Sequence, residues 1–227
     1  MRLSSATREE RLTKRWKSSA YYSRDPSHPH ANLNLRLRRS LSWLGRAEKD
    51  SDDCDASFVF SWMAFNAAYG RLGSPSGTQD SERQHRQEYF RKVVACAPDA
   101  VHETIWPDLV PRITILLNNR YVFEPFWKHH NEEPGYQDWA DKFEASKKRA
   151  RLALGNRRTS LILEELFASL YTLRNQLLHG GATWSGSVNR DQVRTGAAIM
   201  AVLVPCFLEV MIEHPETDWG TPRYPVV

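Results

Sequence analysis

The stretch Leu170–Gly181, LYTLRNQLLHGG, sets an arginine, an asparagine and a histidine near the end of a long helical run. A guanidinium can hold a phosphate through two parallel hydrogen bonds, and an imidazole can take and return a proton. Together they offer a way to move a proton beside an anion without a metal ion. At about 100° per residue, Leu163, Leu166, Phe167, Leu170, Leu173 and Leu177 fall within an arc of roughly 120°, and Arg174 falls inside that arc. Burying a lone guanidinium is costly, so Arg174 needs a carboxylate, a carbonyl cluster, an inter-subunit cleft or an anionic ligand. Asn175 and His179 lie roughly 140° and 180° round from Leu170. They are four residues apart and therefore neighbours, which lets Asn175 orient the imidazole. The same residues also fit a purely structural reading, with Arg174 in a core salt bridge and His179 capping a helix end.

Other chemistry-bearing residues form weaker patterns. Asn66 interrupts an apolar helix and can hydrogen-bond to the motif helix or to Arg174, or be a satisfied core amide. The run KHHNEE (His129, His130, Glu132, Glu133) has metal-type side chains without a settled ligand spacing, so no metal is expected there. Lys147, Lys148, Arg151, Arg157 and Arg158 precede the motif helix and can track a nucleic-acid backbone by charge or form a solvated face. There is no phosphate-binding Walker loop, no dinucleotide glycine pattern and no convincing carboxylate pair, and no cofactor is expected.

The elements that must position these residues read as helices, because apolar residues recur at three and four rather than at two. A first helix lies within residues 5–22 and is ended by RDPSHPHAN. A second, roughly Asn32 to Glu48, carries Leu33, Leu37, Leu41 and Leu44 on one stripe. Asp55 is placed to cap a third helix, in which Phe58, Trp62, Phe65 and Tyr69 stack. GRLGSPSGTQD reads as a loop, Asp80 or Ser81 as the opening of the next helix, and Pro98 as its end. Short pieces punctuated by Pro107, Pro111, Pro125 and Pro134 lead to a charged helix around Tyr136–Leu154. The motif helix should run from Thr159 to His179 and stop at Gly180–Gly181. A last helix, about Arg190 to Glu213, is apolar nearly all round and should be enclosed, with Pro205 kinking it.

Charge is uneven along the chain. Residues 1–50 hold 12 Lys/Arg against 5 Asp/Glu, leaving 19 against 22 for the remainder. The basic segment can meet phosphate or be a solvated tail. The boundaries expected are a basic N-terminal arm or helix at 1–31, a helical domain at 32–213 and a C-terminal tail at 214–227. Cys54, Cys96 and Cys206 form no CxxC pair, which fits a reducing cytoplasm. The early Glu9 and Glu10 and the lack of an apolar leader argue against export. The run AAIMAVLVPCFL is read as too short and too interrupted to span a bilayer, so no membrane partner is expected.

Arg174 to His179, RNQLLH, resembles the signature of the HEPN superfamily: an Arg, often followed by Asn, then a His near a helix end. The helix WMAFNAAYG (Trp62–Gly70) is similar to an upstream core helix of bacterial HEPN-like proteins. The resemblance covers roughly residues 32–213, and its specific part is the six-residue motif. It implies an all-α, HEPN-like helical bundle with additional N-terminal and inserted helices. It further implies a metal-independent endoribonuclease of the toxin or defence kind, working as a homodimer and leaving a 2′,3′-cyclic phosphate and a 5′-hydroxyl. In that chemistry His179 is general base, Arg174 stabilises the phosphate and Asn175 supports them. A nucleotidyltransferase-type antitoxin is implied as partner on the same ground. A catalytically silent HEPN-type module that binds RNA or protein is the alternative.

Overall fold

The computed structural model describes residues 6–71 and 79–224, with the backbone alone for 79–81. Thr7 starts α1 (Arg8–Lys17) through a capping box: its hydroxyl accepts from the Glu10 amide at 3.1 Å, and the Glu10 carboxylate accepts from the Thr7 amide at 2.9 Å. Next come α2 (Ala31–Lys49), α3 (Cys54–Tyr69), α4 (Gln79–Cys96), α5 (Pro98–Ile105), α6 (Val110–Leu117), a 3₁₀ turn (Arg120–Val122), α7 (Glu124–His130), α8 (Trp139–Gly155), α9 (Thr159–Leu178) and α10 (Arg190–Glu213). The fold is all-α. Among the described residues there is no strand, only an isolated bridge between Arg71 and Pro222.

Pro98, Pro111 and Pro125 each sit in the first turn of a helix, where no amide proton is needed. Pro98 therefore both ends α4 and opens α5. Asp55 is not the cap expected from the sequence. Asp53 caps α3, its Oδ1 accepting from the amides of Asp55 (2.9 Å) and Ala56 (3.1 Å). Asp55 instead pairs with Arg190 at 2.7 Å and accepts from the Ser185 amide at 3.0 Å, fixing the start of α10 and the preceding loop to α3. Asp80 and Ser81 fall within the start of α4 rather than ahead of it. Their side chains, like residues 72–78 of the expected loop, lie outside the described residues.

The core is built where α2, α3 and α10 meet, with α9 closing it. Leu37, Phe58, Phe65, Leu166, Phe167, Leu170 and Met200 are all 0% exposed, and an aromatic cluster joins Phe65 to Phe167 and Phe90. α10 spans 24 residues and is long and apolar enough to cross a membrane, which the shorter apolar run alone did not indicate. Two thirds of its apolar window (67%) is buried inside the protein, so here it serves as the core helix. Pro205 does not divide it. The proline has no amide proton to offer the carbonyl of Ala201, and that oxygen accepts from Arg8 Nη1 at 2.9 Å instead.

The segments read as arm and tail are both built into the core. Leu12 and Trp16 of α1 are 7% and 6% exposed, and Trp219 near the C-terminus is 6% exposed against Tyr89. Arg36, wholly buried, ties the C-terminal segment to α3: Nη1 donates to the carbonyls of Ala68 and Gly70, both at 2.8 Å, and Nε to Gly220 at 3.2 Å.

Candidate functional site

The end of α9 is set by glycine. Gly180 has φ +75°, a left-handed conformation that a side chain disfavours, and Gly181 then turns its amide back to the Gln176 carbonyl at 2.7 Å. His179 is left exposed at the helix end, and among the described residues no side-chain hydrogen bond reaches its ring. Arg174, expected within the buried arc, is only half-buried. Arg174 lies about 20° inside the edge of the apolar arc, and along that arc Leu173 is 0% exposed whereas Leu177, one turn on, is only partly buried. α9 outruns the helices that cover it.

Around Arg174 the structure assembles a polar cluster from α3, α4 and α9. Arg174 Nη1 donates to Asn175 Oδ1 at 2.8 Å, and the guanidinium lies 5.9 Å from the Tyr171 ring. Its Nε is buried with no hydrogen-bond partner. No carboxylate among the described residues is within ion-pair distance, so the core salt bridge is not formed. Asn175 thus serves the arginine and not the imidazole, because the long guanidinium folds onto the neighbouring amide.

A second guanidinium, Arg86, lies 4.7 Å from the same Tyr171 ring. Its side chain is 9% exposed, its Nη1 lacks a hydrogen-bond partner, and the nearest acid, Glu82, is 3.8 Å away. Glu82 in turn accepts from the hydroxyls of Tyr69 (2.8 Å) and Tyr171 (3.4 Å). Burial, then the Glu82 charge, pushes both phenols above their ordinary range, so they remain donors. The cluster therefore carries two guanidinium charges against one carboxylate. Asn66, one turn past Trp62 on α3, makes no bond to Arg174; its Oδ1 is buried without a partner.

Gln176, between the two motif residues, donates to the Tyr121 carbonyl at 2.6 Å and accepts from Asn189 at 3.0 Å. Trp127 Nε1 donates to that carbonyl at 2.8 Å, and the Arg120 guanidinium lies 5.1 Å from the Tyr121 ring. Tyr121 is 39% exposed. An aromatic and cationic surface thus adjoins the end of α9, built from Arg120, Tyr121 and Trp127. The sequence reading passed over these residues, and the aromatic density of NNRYVFEPFWKHH was the signal available. Arg86 and Tyr171 were missed as well, since nothing in their own helices marks them.

The basic residues expected to help are placed elsewhere. Lys148, Arg151, Arg157 and Arg158 are exposed, and Lys147 pairs with Glu144 at 2.6 Å. All lie on α8 or in the α8–α9 turn. Arg158 and His179 flank opposite ends of α9, about 30 Å apart at 1.5 Å per residue. His130 stacks on Phe126 at 4.3 Å, and no group of three potential metal ligands gathers among the described residues. Compared with protein-family models, with curated proteins and with solved structures, the chain has no match.

Proposed function

We propose that the chain is a metal-independent endoribonuclease of HEPN type, acting as a toxin or defence effector. The observation that carries this reading is Arg174, a guanidinium without an acid partner, held in the last turns of α9 before the exposed His179. His179 takes the proton of a ribose 2′-hydroxyl, whose oxygen attacks the adjacent phosphorus. The P–O5′ bond breaks, the leaving 5′-oxygen takes a proton from water, protonated His179 returns its proton to solvent, and a 2′,3′-cyclic phosphate remains. Arg174 offsets the extra charge on the phosphate in the transition state. The nucleophile is already within the strand, so proximity is supplied by the substrate itself. Tyr121 and Trp127 offer flat faces on which the flanking bases stack. A nucleotidyltransferase-type antitoxin as partner rests on the resemblance alone.

A specific observation also favours the silent RNA- or protein-binding module: five residues separate Arg174 from His179, so on one straight helix they point roughly 140° apart. Incubation of the purified chain with a mixed RNA pool in excess chelator separates the two. Fragments with cyclic phosphate and 5′-hydroxyl ends are expected; binding without cleavage selects the silent module.

A further inference from the structure

Between α1, the connection at 18–30 and the first half of α2 lies a cavity of about 430 Å3. Its wall is joined by one buried amide. Asn34, 5% exposed, accepts from Trp16 Nε1 and the Ser23 amide, both at 3.1 Å, and donates to the carbonyls of Tyr21 and His30, both at 2.9 Å. With all four of its hydrogen bonds made, this side chain holds helix, loop and helix in register, so no ligand is needed to form the cavity.

The floor and the mouth ask for different chemistry. Trp16 and Tyr22, edge to face at 4.9 Å, with Leu35 and Leu41, give an apolar and largely aromatic floor. Lys17, Arg24 and Arg38 stand exposed around it, and none has a carboxylate within ion-pair distance among the described residues. Two acids also line the cavity, Glu9 and Asp25; their donors are neutral, so both stay charged and the lining carries three positive charges against two negative. Glu9 accepts from the Thr13 hydroxyl at 2.5 Å, and Asp25 accepts from the Ser27 amide and hydroxyl at 2.9 and 2.8 Å.

We infer that this cavity binds a nucleoside monophosphate, its base on the Trp16–Tyr22 floor and its phosphate among Lys17, Arg24 and Arg38. The excess of cations over acids favours an anion, and two of the three cations are planar forks suited to phosphate oxygens. The floor calls for a flat apolar body. Asn32 and Ser42 supply donors and acceptors for a ribose or a base edge, and Thr13, whose proton goes to Glu9, an acceptor. The volume matches one small organic molecule and excludes a duplex. The nucleotide is either free or the 5′-phosphorylated end of an RNA strand.

The test is AMP titration of the full chain by calorimetry, with no cleavage step in the readout, so it stands or falls apart from the ribonuclease reading. Saturable binding of one AMP is expected, with adenosine and inorganic phosphate each weaker by at least about tenfold. Lys17→Glu with Arg38→Glu, both at exposed positions, should leave the circular dichroism spectrum unchanged and weaken AMP by at least about tenfold. Hexa-adenylate competitors separate the sources. Displacement of AMP by the 5′-phosphorylated form only assigns the site to an RNA end, and displacement by neither form assigns it to free nucleotide. No saturable binding at millimolar AMP, unchanged affinity in the double variant, or equal displacement by 5′-hydroxyl hexa-adenylate overturns the inference.

Discussion

Arg174 has no acid to leave behind, and this sets what its removal should do. Its folded-state contacts are a hydrogen bond to Asn175 and a distant cation–π approach to Tyr171, together worth about 1–2 kcal/mol at a half-buried site. On the proposed reading, Arg174→Ala and His179→Ala should each abolish RNA cleavage while unfolding free energies from urea titration stay within about 2 kcal/mol of the parent. Full activity in either variant removes the assigned chemistry. The buried tyrosines give a second expectation at this scale. Burial raises the pKa of Tyr69 and Tyr89 above the ordinary 10.0, so the native chain keeps phenolic protons that the unfolded chain releases. The stability they confer is present below about pH 10 and lost above it, at up to about 1.4 kcal/mol per pH unit for each. Arg36 works in the opposite sense, because burial lowers its pKa to about 10. The two phenols outweigh it, so melting temperature should fall above about pH 10. Tyr89→Phe, which loses only a contact to Met211 sulfur at 3.4 Å, should make that fall shallower; an identical slope contradicts the account.

At the scale of elements, the approach of α10 to α3 and α9 depends on Gly196. A Cβ there would lie 3.0 Å from both Leu173 Cδ2 and Phe58 Cε2. Both side chains are 0% exposed and have nowhere to move. Gly196→Ala gains at most about 1 kcal/mol of helix propensity against about 1–3 kcal/mol of overpacking, so it should destabilise. A Cβ added at Gly155, at the end of α8, would meet nothing within 4 Å, and the backbone there has no positive φ. Gly155→Ala should be neutral or stabilise by up to about 1 kcal/mol. Chemical denaturation of the pair checks both signs, and a stabilised Gly196→Ala chain would show that α10 is not tightly seated.

For the whole molecule, the mixed-dimer activity decides whether one chain makes a site. At about 100° per residue, positions 174 and 179 point roughly 140° apart, and among the described residues no hydrogen bond links the Arg174 side chain to His179. A two-fold pairing of α9 ends brings the arginine of one subunit beside the histidine of the other. On the proposed reading, a mixed dimer of Arg174→Ala and His179→Ala chains should regain part of the activity that each homodimer lacks, since one shared site keeps an intact Arg and an intact His. A mixed dimer verified by mass that stays as inactive as both parents places the site within one chain.

The helices and most of their ends were determined by the sequence itself. The Gly180 stop and the three-four apolar spacing act between residues a few positions apart, so a linear reading reaches them. Pro98, Pro111 and Pro125 were legible as breaks, and only the structure shows them opening helices. Phe58, Trp62, Phe65, Leu166 and Leu170 were legible as core for the same reason. Tertiary structure alone decided the fate of each polar group. The arginine inside the apolar arc proved half-exposed, because burial depends on how close a residue lies to the arc's edge and on how far the covering helices extend along the axis. The arginine that is wholly buried, Arg36, is sustained by carbonyls from residues 68, 70 and 220. Asp53 took the capping role expected of Asp55, since Arg190, 135 positions away in sequence, claims the Asp55 carboxylate. Tyr171 and Arg86 meet only because α4 packs on α9. A charged or polar side chain finds its partner through space, and a partner contributed by a distant helix leaves no periodic trace in the chain that needs it.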